Sequence, residues 1–257
     1  MESLAGRVAL VTGGGRGIGR AISLALARAG ADVAVAARTI PEIEEVATEI
    51  VALGRRAHFF PLDVSDRDAL GRVPAEVERA LGPAGILVNN AGISLSVPLH
   101  KTGDVAWDGV IAVNLTAPFL LTRAFLPSMY GRAYGRVINV ASVAGKVGVR
   151  YAGAYSASKH GIIGFTRTLA LEAARKGVTA NAICPGWTNT RMLEDAVETV
   201  VNATGRTPEE ARRAILDTNP SGRPVEPEEV AEVAVLLASN PAINGQAIHV
   251  DGGEVMS

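Results

Sequence analysis

Apolar residues in this chain fall in short continuous runs, and between the runs they recur every three or four positions. Continuous runs suit strands buried on both faces, and the longer spacing suits helices with one apolar stripe. Residues 8–12 read as a strand, followed by a glycine-rich turn and a helix over 20–28 that stops at Gly30. The alternation continues through strand 33–37, helix 42–53 closed by Gly54, strand 58–62, a helix near 66–81 and strand 86–89. A long helical stretch over 104–130 precedes strand 135–141, and a second over 154–176 precedes strand 178–183. A helix over 227–238, introduced by Glu226-Pro227, and a strand over 246–250 complete the pattern.

Strand–helix–strand repetition with right-handed crossovers predicts one α/β domain over 1–257. Its core would be a Rossmann-type, doubly wound parallel sheet of about seven strands with helices on both faces. No Pro/Ser-rich linker divides the chain. The rhythm breaks once, over 187–220, a helix-prone segment too long for an ordinary connection. Such insertions commonly cover binding sites, so a substrate lid is expected there.

Composition narrows the picture further. The 257 residues are 48% hydrophobic and 20% charged, with a formal net charge of -1. That balance suits a soluble globular protein with a large core. No excess of basic charge points to nucleic acid. Cys184 is the single cysteine, so no internal disulfide forms, in keeping with a reducing compartment. His58, His100, His160 and His249 are scattered without ligand spacing, and no metal site is expected. The first residues lack the basic start and apolar run of an export signal, and no apolar stretch reads as a membrane span. The expectation is a cytoplasmic protein with no membrane partner.

Two segments carry candidate chemistry. Thr12-Gly13-Gly14-Gly15-Arg16-Gly17-Ile18-Gly19 follows the first strand and opens the first helix. Glycines allow close backbone approach to a diphosphate, and a helix N-terminus supplies free N–H groups and positive dipole. The second strand ends Ala36-Ala37-Arg38, without the carboxylate that would bind a ribose 2′-hydroxyl. Arg16 and Arg38 together favour a 2′-phosphate, and so NADP(H) over NAD(H). The second segment is Tyr155-Ser156-Ala157-Ser158-Lys159, with Ser142 upstream. A phenol and an ammonium four residues apart share a helix face. The ammonium is expected to lower the phenol pKa, and the Ser142 hydroxyl to hold a carbonyl oxygen beside it. That set moves a proton to or from an alcohol while a hydride moves elsewhere.

With the glycine turn, Asn89-Asn90-Ala91-Gly92, Asn114, Ser142, Tyr155, Lys159 and Pro185-Gly186 in this order, the chain resembles the short-chain dehydrogenase/reductase superfamily over nearly its whole length. The resemblance implies roles for matching positions. Tyr155 would be the general acid in reduction and the base in oxidation. Lys159 would tune it and bind the nicotinamide ribose, Ser142 would orient the carbonyl, and Asn114 would support a proton-relay water. Thr12, Gly13, Gly15, Arg16, Gly17, Ile18 and Gly19 would surround the diphosphate and adenosine, with Asp63 and Val64 at the adenine. Asn90, Ala91 and Gly92 would line the cofactor cleft, and Pro185, Gly186, Thr188 and Thr190 would meet the nicotinamide. From the residues alone, Asp63, Thr188 and Thr190 also read as helix caps, and Trp187 as packing.

Two groups of this superfamily look similar. Residues 137–142, 145–149 and 155–161 are similar to β-ketoacyl thioester reductases. Residues 180–187 and the charged stretch 207–216 are similar to 3-hydroxybutyrate dehydrogenases. Where the latter hold a free carboxylate with polar side chains, this chain has Ser94, Ala144 and Ala152. A buried unpaired carboxylate is costly, so unless Lys146 or Arg150 takes over the carboxylate, a thioester carried on acyl carrier protein or CoA is the favoured substrate. Lys146, Trp187 and Met192 join Ser94 and Ala144 as pocket candidates. The resemblance also implies a homotetramer, or a dimer. A different class, a cofactor-binding sensor without chemistry, is the alternative, and intact Ser142, Tyr155 and Lys159 count against it.

Overall fold

A computed structural model describes residues 3–256. Seven strands form one sheet: β1 (Val8–Thr12), β2 (Asp32–Ala37), β3 (Ala57–Pro61), β4 (Ile86–Asn89), β5 (Gly135–Val140), β6 (Val178–Pro185) and β7 (Ala247–Val250). Their spatial order is β3-β2-β1-β4-β5-β6-β7, and every pairing is parallel. The helices are α1 (Gly17–Arg28), α2 (Ile40–Ala52), α3 (Arg67–Leu70), α4 (Val73–Leu81), α5 (Asp104–Ile111), α6 (Ala117–Gly131), α7 (Gly153–Ala173), α8 (Arg191–Thr204), α9 (Pro208–Leu216) and α10 (Pro227–Ser239). The expected doubly wound architecture is therefore present.

Period-two geometry divides each strand between two cores. Ala9 and Val11 of β1, with Val33 and Val35 of β2, pack with Ile22 and Leu26 of α1 and Val230, Ala234 and Leu237 of α10. Val8 and Leu10, with Ala34 and Ala36, face the other way, onto Val77 and Leu81 of α4, Leu121, Phe125 and Met129 of α6 and Leu169 of α7. Both strand faces are thus consumed, which is why the central strands read as continuous apolar runs.

Three expectations need correction. The helix expected near 66–81 is two helices. Asp66 caps α3, its carboxylate accepting from the N–H groups of Asp68 (3.0 Å) and Ala69 (3.1 Å). Pro74 has no N–H for the Leu70 carbonyl, and α3 ends at Leu70. The helix expected over 104–130 is a continuous path with a π turn at Ala112–Thr116, where Ala117 N–H donates to the Ala112 carbonyl. Pro118 lacks the N–H that an α-helix would aim at Asn114, so the ladder slips by one residue. By length and apolarity, Asp104–Gly131 does suffice to cross a bilayer, contrary to the sequence reading. Here its Ala117–Leu121–Phe125–Met129 stripe is spent against the sheet.

The 187–220 insertion folds as α8 and α9. Leu193 and Val197 of α8 pack on Ala211 and Ile215 of α9, with Trp187 against them. A capping box starts α9: Thr207 Oγ1 accepts from Glu210 N–H (3.3 Å), and the Glu210 carboxylate accepts from Thr207 N–H (2.9 Å). The insertion's base is tied by Asn189 N–H to the Val225 carbonyl and Val225 N–H to the Trp187 carbonyl, each 2.8 Å.

Candidate active site

From β1 the chain builds outward to β2 and β3, then returns to place β4 on the other side of β1. At such a switch point the crossovers part and leave a crevice at the carboxyl ends of the strands. Nearly all the singled-out residues sit at this end. Thr12 ends β1, Arg38 follows β2, Asp63 and Val64 follow β3, Asn90–Gly92 follow β4, Ser142 follows β5, and Pro185 ends β6.

Thr12 ties β1 to β4. Its hydroxyl donates to the Val88 carbonyl (3.3 Å) and accepts from the N–H groups of Asn90 (3.1 Å) and Ala91 (3.2 Å). The Asn90 amide donates back to the carbonyls of Thr12 (2.9 Å) and Gly13 (3.1 Å). Below this clasp the turn packs so closely that a Cβ at Gly19 would overlap the Gly13 carbonyl oxygen. Gly17 holds φ +53, in the left-handed region, and a side chain there would press on Thr190 at the start of α8. Arg16, the N-cap of α1, makes no side-chain cap, and the first turn carries no acidic residue. The helix therefore offers bare N–H groups and positive dipole to an anion, and these residues fit a dinucleotide diphosphate.

At the end of the crevice where the sequence leads one to expect the adenosine, each arginine has a carboxylate within electrostatic reach. Arg16 Nη1 lies 3.6 Å from Glu42 Oε1. Arg38 is exposed and helps to lower the Asp63 pKa, although the hydroxyl and N–H of Ser65 contribute more. Asp63 is thus bonded to Ser65 and caps no helix, a task that falls to Asp66. Val64 packs on the sheet. Ile18 packs against the opposite core.

Ser142 leaves β5 in extended backbone and opens a short turn, its Oγ accepting from Ala144 N–H (3.1 Å). Tyr155 and Lys159 lie on α7, with Lys159 Nζ 5.5 Å from the Tyr155 ring centre. Lys159 is buried and donates to the Val140 carbonyl at 2.8 Å. Burial pushes its pKa down to about 8. The expected lowering of the phenol pKa is reversed. Burial raises the Tyr155 pKa, and a hydrogen bond with Ser142 offsets this only in part. Loss of hydration outweighs the Ser142 hydrogen bond, and the ammonium is itself turned toward a carbonyl.

Asn114 sits in the π turn, and its side chain is fully engaged. It accepts from Ile93 N–H (2.9 Å) and donates to the Ile93 carbonyl (2.9 Å) and to Ser158 Oγ (3.1 Å). Ser158 in turn donates to the Tyr155 carbonyl (2.7 Å). The Asn114 amide therefore clamps the loop after β4 to the helix bearing Tyr155. Gly92 lies between: a Cβ there would be 3.4 Å from Asn114 Oδ1 and 3.6 Å from Lys159 Nζ.

The pocket candidates divide. Ser94 is exposed and Met192 is 39% exposed, on the loop after β4 and on α8. Ala144 is buried beneath its turn, and Trp187 is engaged with α8 and α9. Lys146 is near enough to Cys184 to pull its thiol pKa down, against a burial effect that raises it to about 11. The hydroxyls of Thr188 and Thr190 donate to the carbonyls of Gly186 (3.1 Å) and Thr188 (3.3 Å), so neither caps α8.

The sequence fits the family model described as short chain dehydrogenase over residues 7–201. The chain belongs to the short-chain dehydrogenase family. It is an oxidoreductase of CH–OH and C=O groups that uses a nicotinamide cofactor. This dehydrogenase is 40% identical to D-beta-hydroxybutyrate dehydrogenase of Cupriavidus necator, over 98% of this chain and 99% of that one. It is 41% identical to acetoacetyl-CoA reductase of Shinella zoogloeoides, over 96% and 98%. Among solved structures, a single-substitution variant of actinorhodin polyketide ketoreductase with NADPH superposes with a TM-score of 0.93 at 39% identity, covering 96% of this chain and 97% of that one.

Three residues at the site escaped the sequence reading. Glu42 gives no signal beyond being an acid in a first helical turn. Tyr151 holds φ +65, strained for an aromatic residue, and its carbonyl accepts Val97 N–H (2.8 Å), joining the loop after β4 to the segment before α7. Glu254 packs against Gly186 and Thr218, and burial raises its pKa. No local pattern marks a contact between segments so far apart in the chain.

Proposed function

We propose that this dehydrogenase is an NADP(H)-dependent ketoreductase acting on a 3-oxoacyl thioester carried on CoA or acyl carrier protein. The observation that carries the reading is the convergence of Ser142, Tyr155 and Lys159 at the crevice, with two arginines at its adenosine end. When bound, the nicotinamide supplies hydride to the carbonyl carbon.

The protein's own residues do the rest. The Ser142 hydroxyl holds the substrate oxygen beside the phenol. Tyr155, whose raised pKa keeps it protonated at neutral pH, gives its proton to that oxygen as negative charge develops. Lys159 places a buried positive charge beneath the phenolate left behind and favours its formation. Asn114 keeps the loop at Ile93 and the helix of Tyr155 in register. Thr12 and Asn90 hold the glycine turn against β4, and α8 and α9 act as the lid.

Ala144 and Ala152 are both buried and apolar, which supports the thioester over a free 3-hydroxy acid. The 40% identity to a D-beta-hydroxybutyrate dehydrogenase favours a second reading, oxidation of that free acid. Initial rates with acetoacetyl-CoA, acetoacetate and simple ketones, each with NADPH and NADH, separate the two. Fast turnover of the thioester with NADPH is expected. Activity confined to the free acid with NADH overturns the proposal. A homotetramer in the cytoplasm completes the reading, and a monomer in light scattering at micromolar concentration would contradict it.

A further inference from the structure

The two arginines at the adenosine end are not free cations. The helix α2 begins at Ile40, two residues beyond Arg38, and so turns its first residues toward the glycine turn. Glu42 lies against that turn: a Cβ on Gly15 would be 2.9 Å from Glu42 Cβ and 3.3 Å from Glu42 Oε2. Its side chain is 33% exposed, while that of its partner Arg16 is 65% exposed. The carboxylate is thus seated by packing, and the guanidinium is the more exposed partner. At 3.6 Å the pair is in electrostatic contact without a short hydrogen bond.

We propose that Glu42 is a specificity-determining residue whose carboxylate competes with the ribose 2′-phosphate of the dinucleotide for Arg16. A 2′-phosphate draws Arg16 away from Glu42 and brings its own negative charge close to a fixed carboxylate. A ribose 2′-hydroxyl does neither. Glu42 therefore weakens binding of the phosphorylated dinucleotide and leaves the other almost untouched. Arg38 remains available to the phosphate, although Asp63 tempers it in the same way. The proposal rests on the cofactor reading above and adds a residue that sets its strictness.

The test uses the whole protein with Glu42→Gln, which keeps the packing against Gly15 and removes the charge. Dissociation constants for NADPH and NADH come from cofactor fluorescence, and those for 2′,5′-ADP and 5′-AMP from displacement. Exposed ion pairs are weak, so NADPH and 2′,5′-ADP are expected to bind about three- to fivefold more tightly. NADH and 5′-AMP are expected to stay unchanged, and in an Arg16→Ala background Glu42→Gln should alter the NADPH:NADH ratio less than it does in the parent, because only the direct repulsion between carboxylate and phosphate is then relieved. Equal tightening of all four probes, or no change in any, overturns the proposal. If Arg16→Ala and Arg38→Ala leave the ratio of the parent protein unaltered, the cofactor reading falls as well. If they shift it and Glu42→Gln does not, only the role of Glu42 falls.

Discussion

Replacing Lys159 with methionine is expected to abolish turnover and yet stabilise the protein at pH 7. Lys159 is 5% exposed, and burial lowers its pKa from 10.5 to about 8. At about 1.4 kcal/mol per pH unit, that drop means the folded protein holds the charged ammonium at a cost of about 3 kcal/mol. Below pH 8 folded and unfolded chains both carry the proton, and the full cost applies. Between about pH 8 and 10.5 the unfolded chain binds more protons, so stability of the parent protein rises with pH and the cost fades. Methionine has similar bulk and no charge, but it leaves the Val140 carbonyl without its donor, a loss of about 1 kcal/mol. The net gain at pH 7 is about 2 kcal/mol, or roughly 4–8 °C in Tm for a chain of this size. Near pH 10.5 the order reverses, because a neutral lysine still donates its hydrogen bond and methionine does not. Thermal unfolding of both proteins at one concentration, followed from pH 7 to 10.5, reads this directly. A variant less stable at pH 7, or a difference that does not change with pH, refutes the idea that the site carries a buried charge at a cost to the fold.

Two further outcomes are expected. In Ser142→Ala the hydrogen bond that restrains the Tyr155 pKa is lost, so the pKa rises further. Reduction uses the protonated phenol, present below that pKa and lost above it. The alkaline limb of kcat/KM should therefore move to higher pH as the rate falls by about 10²-fold, and a limb moving to lower pH contradicts the assignment. In Gly19→Ala the new methyl overlaps the Gly13 carbonyl. A loss of about 1–3 kcal/mol in unfolding free energy should accompany loss of dinucleotide binding in titrations, and unaltered binding counts against the turn as the diphosphate seat.

The centre of the sheet was legible because β1 and residues 33–37 of β2 are short apolar runs whose two faces both end in a core. Val8 and Leu10 go to one side, Ala9 and Val11 to the other, so no polar position interrupts the run. The helix breaks were harder to see. Pro74 and Pro118 are visible in the sequence, yet one splits a helix and the other only shifts its hydrogen bonds. At the site, Ser142, Tyr155 and Lys159 announced themselves by type and spacing. Their electrostatics did not, since the Tyr155 pKa depends on burial and on the Ser142 hydrogen bond, while the ammonium points to Val140. The supporting bonds of Asn139 were also hidden. Its side chain accepts from Asn89 and donates to Thr166, each at 2.8 Å, across three elements far apart in sequence.

The small core between α8 and α9 has one more consequence. Leu193, Val197, Ala211 and Ile215 satisfy one another, with Trp187 at the edge, and owe little to the cores that flank the sheet. Mutations in this hairpin can therefore accumulate without touching the residues that hold Tyr155 and Lys159. If this hairpin is the substrate lid proposed above, the reaction and the selectivity reside in separately packed parts of one fold. On that reading, changes to the hairpin would redraw the substrate range while the proton-transfer apparatus stays as it was.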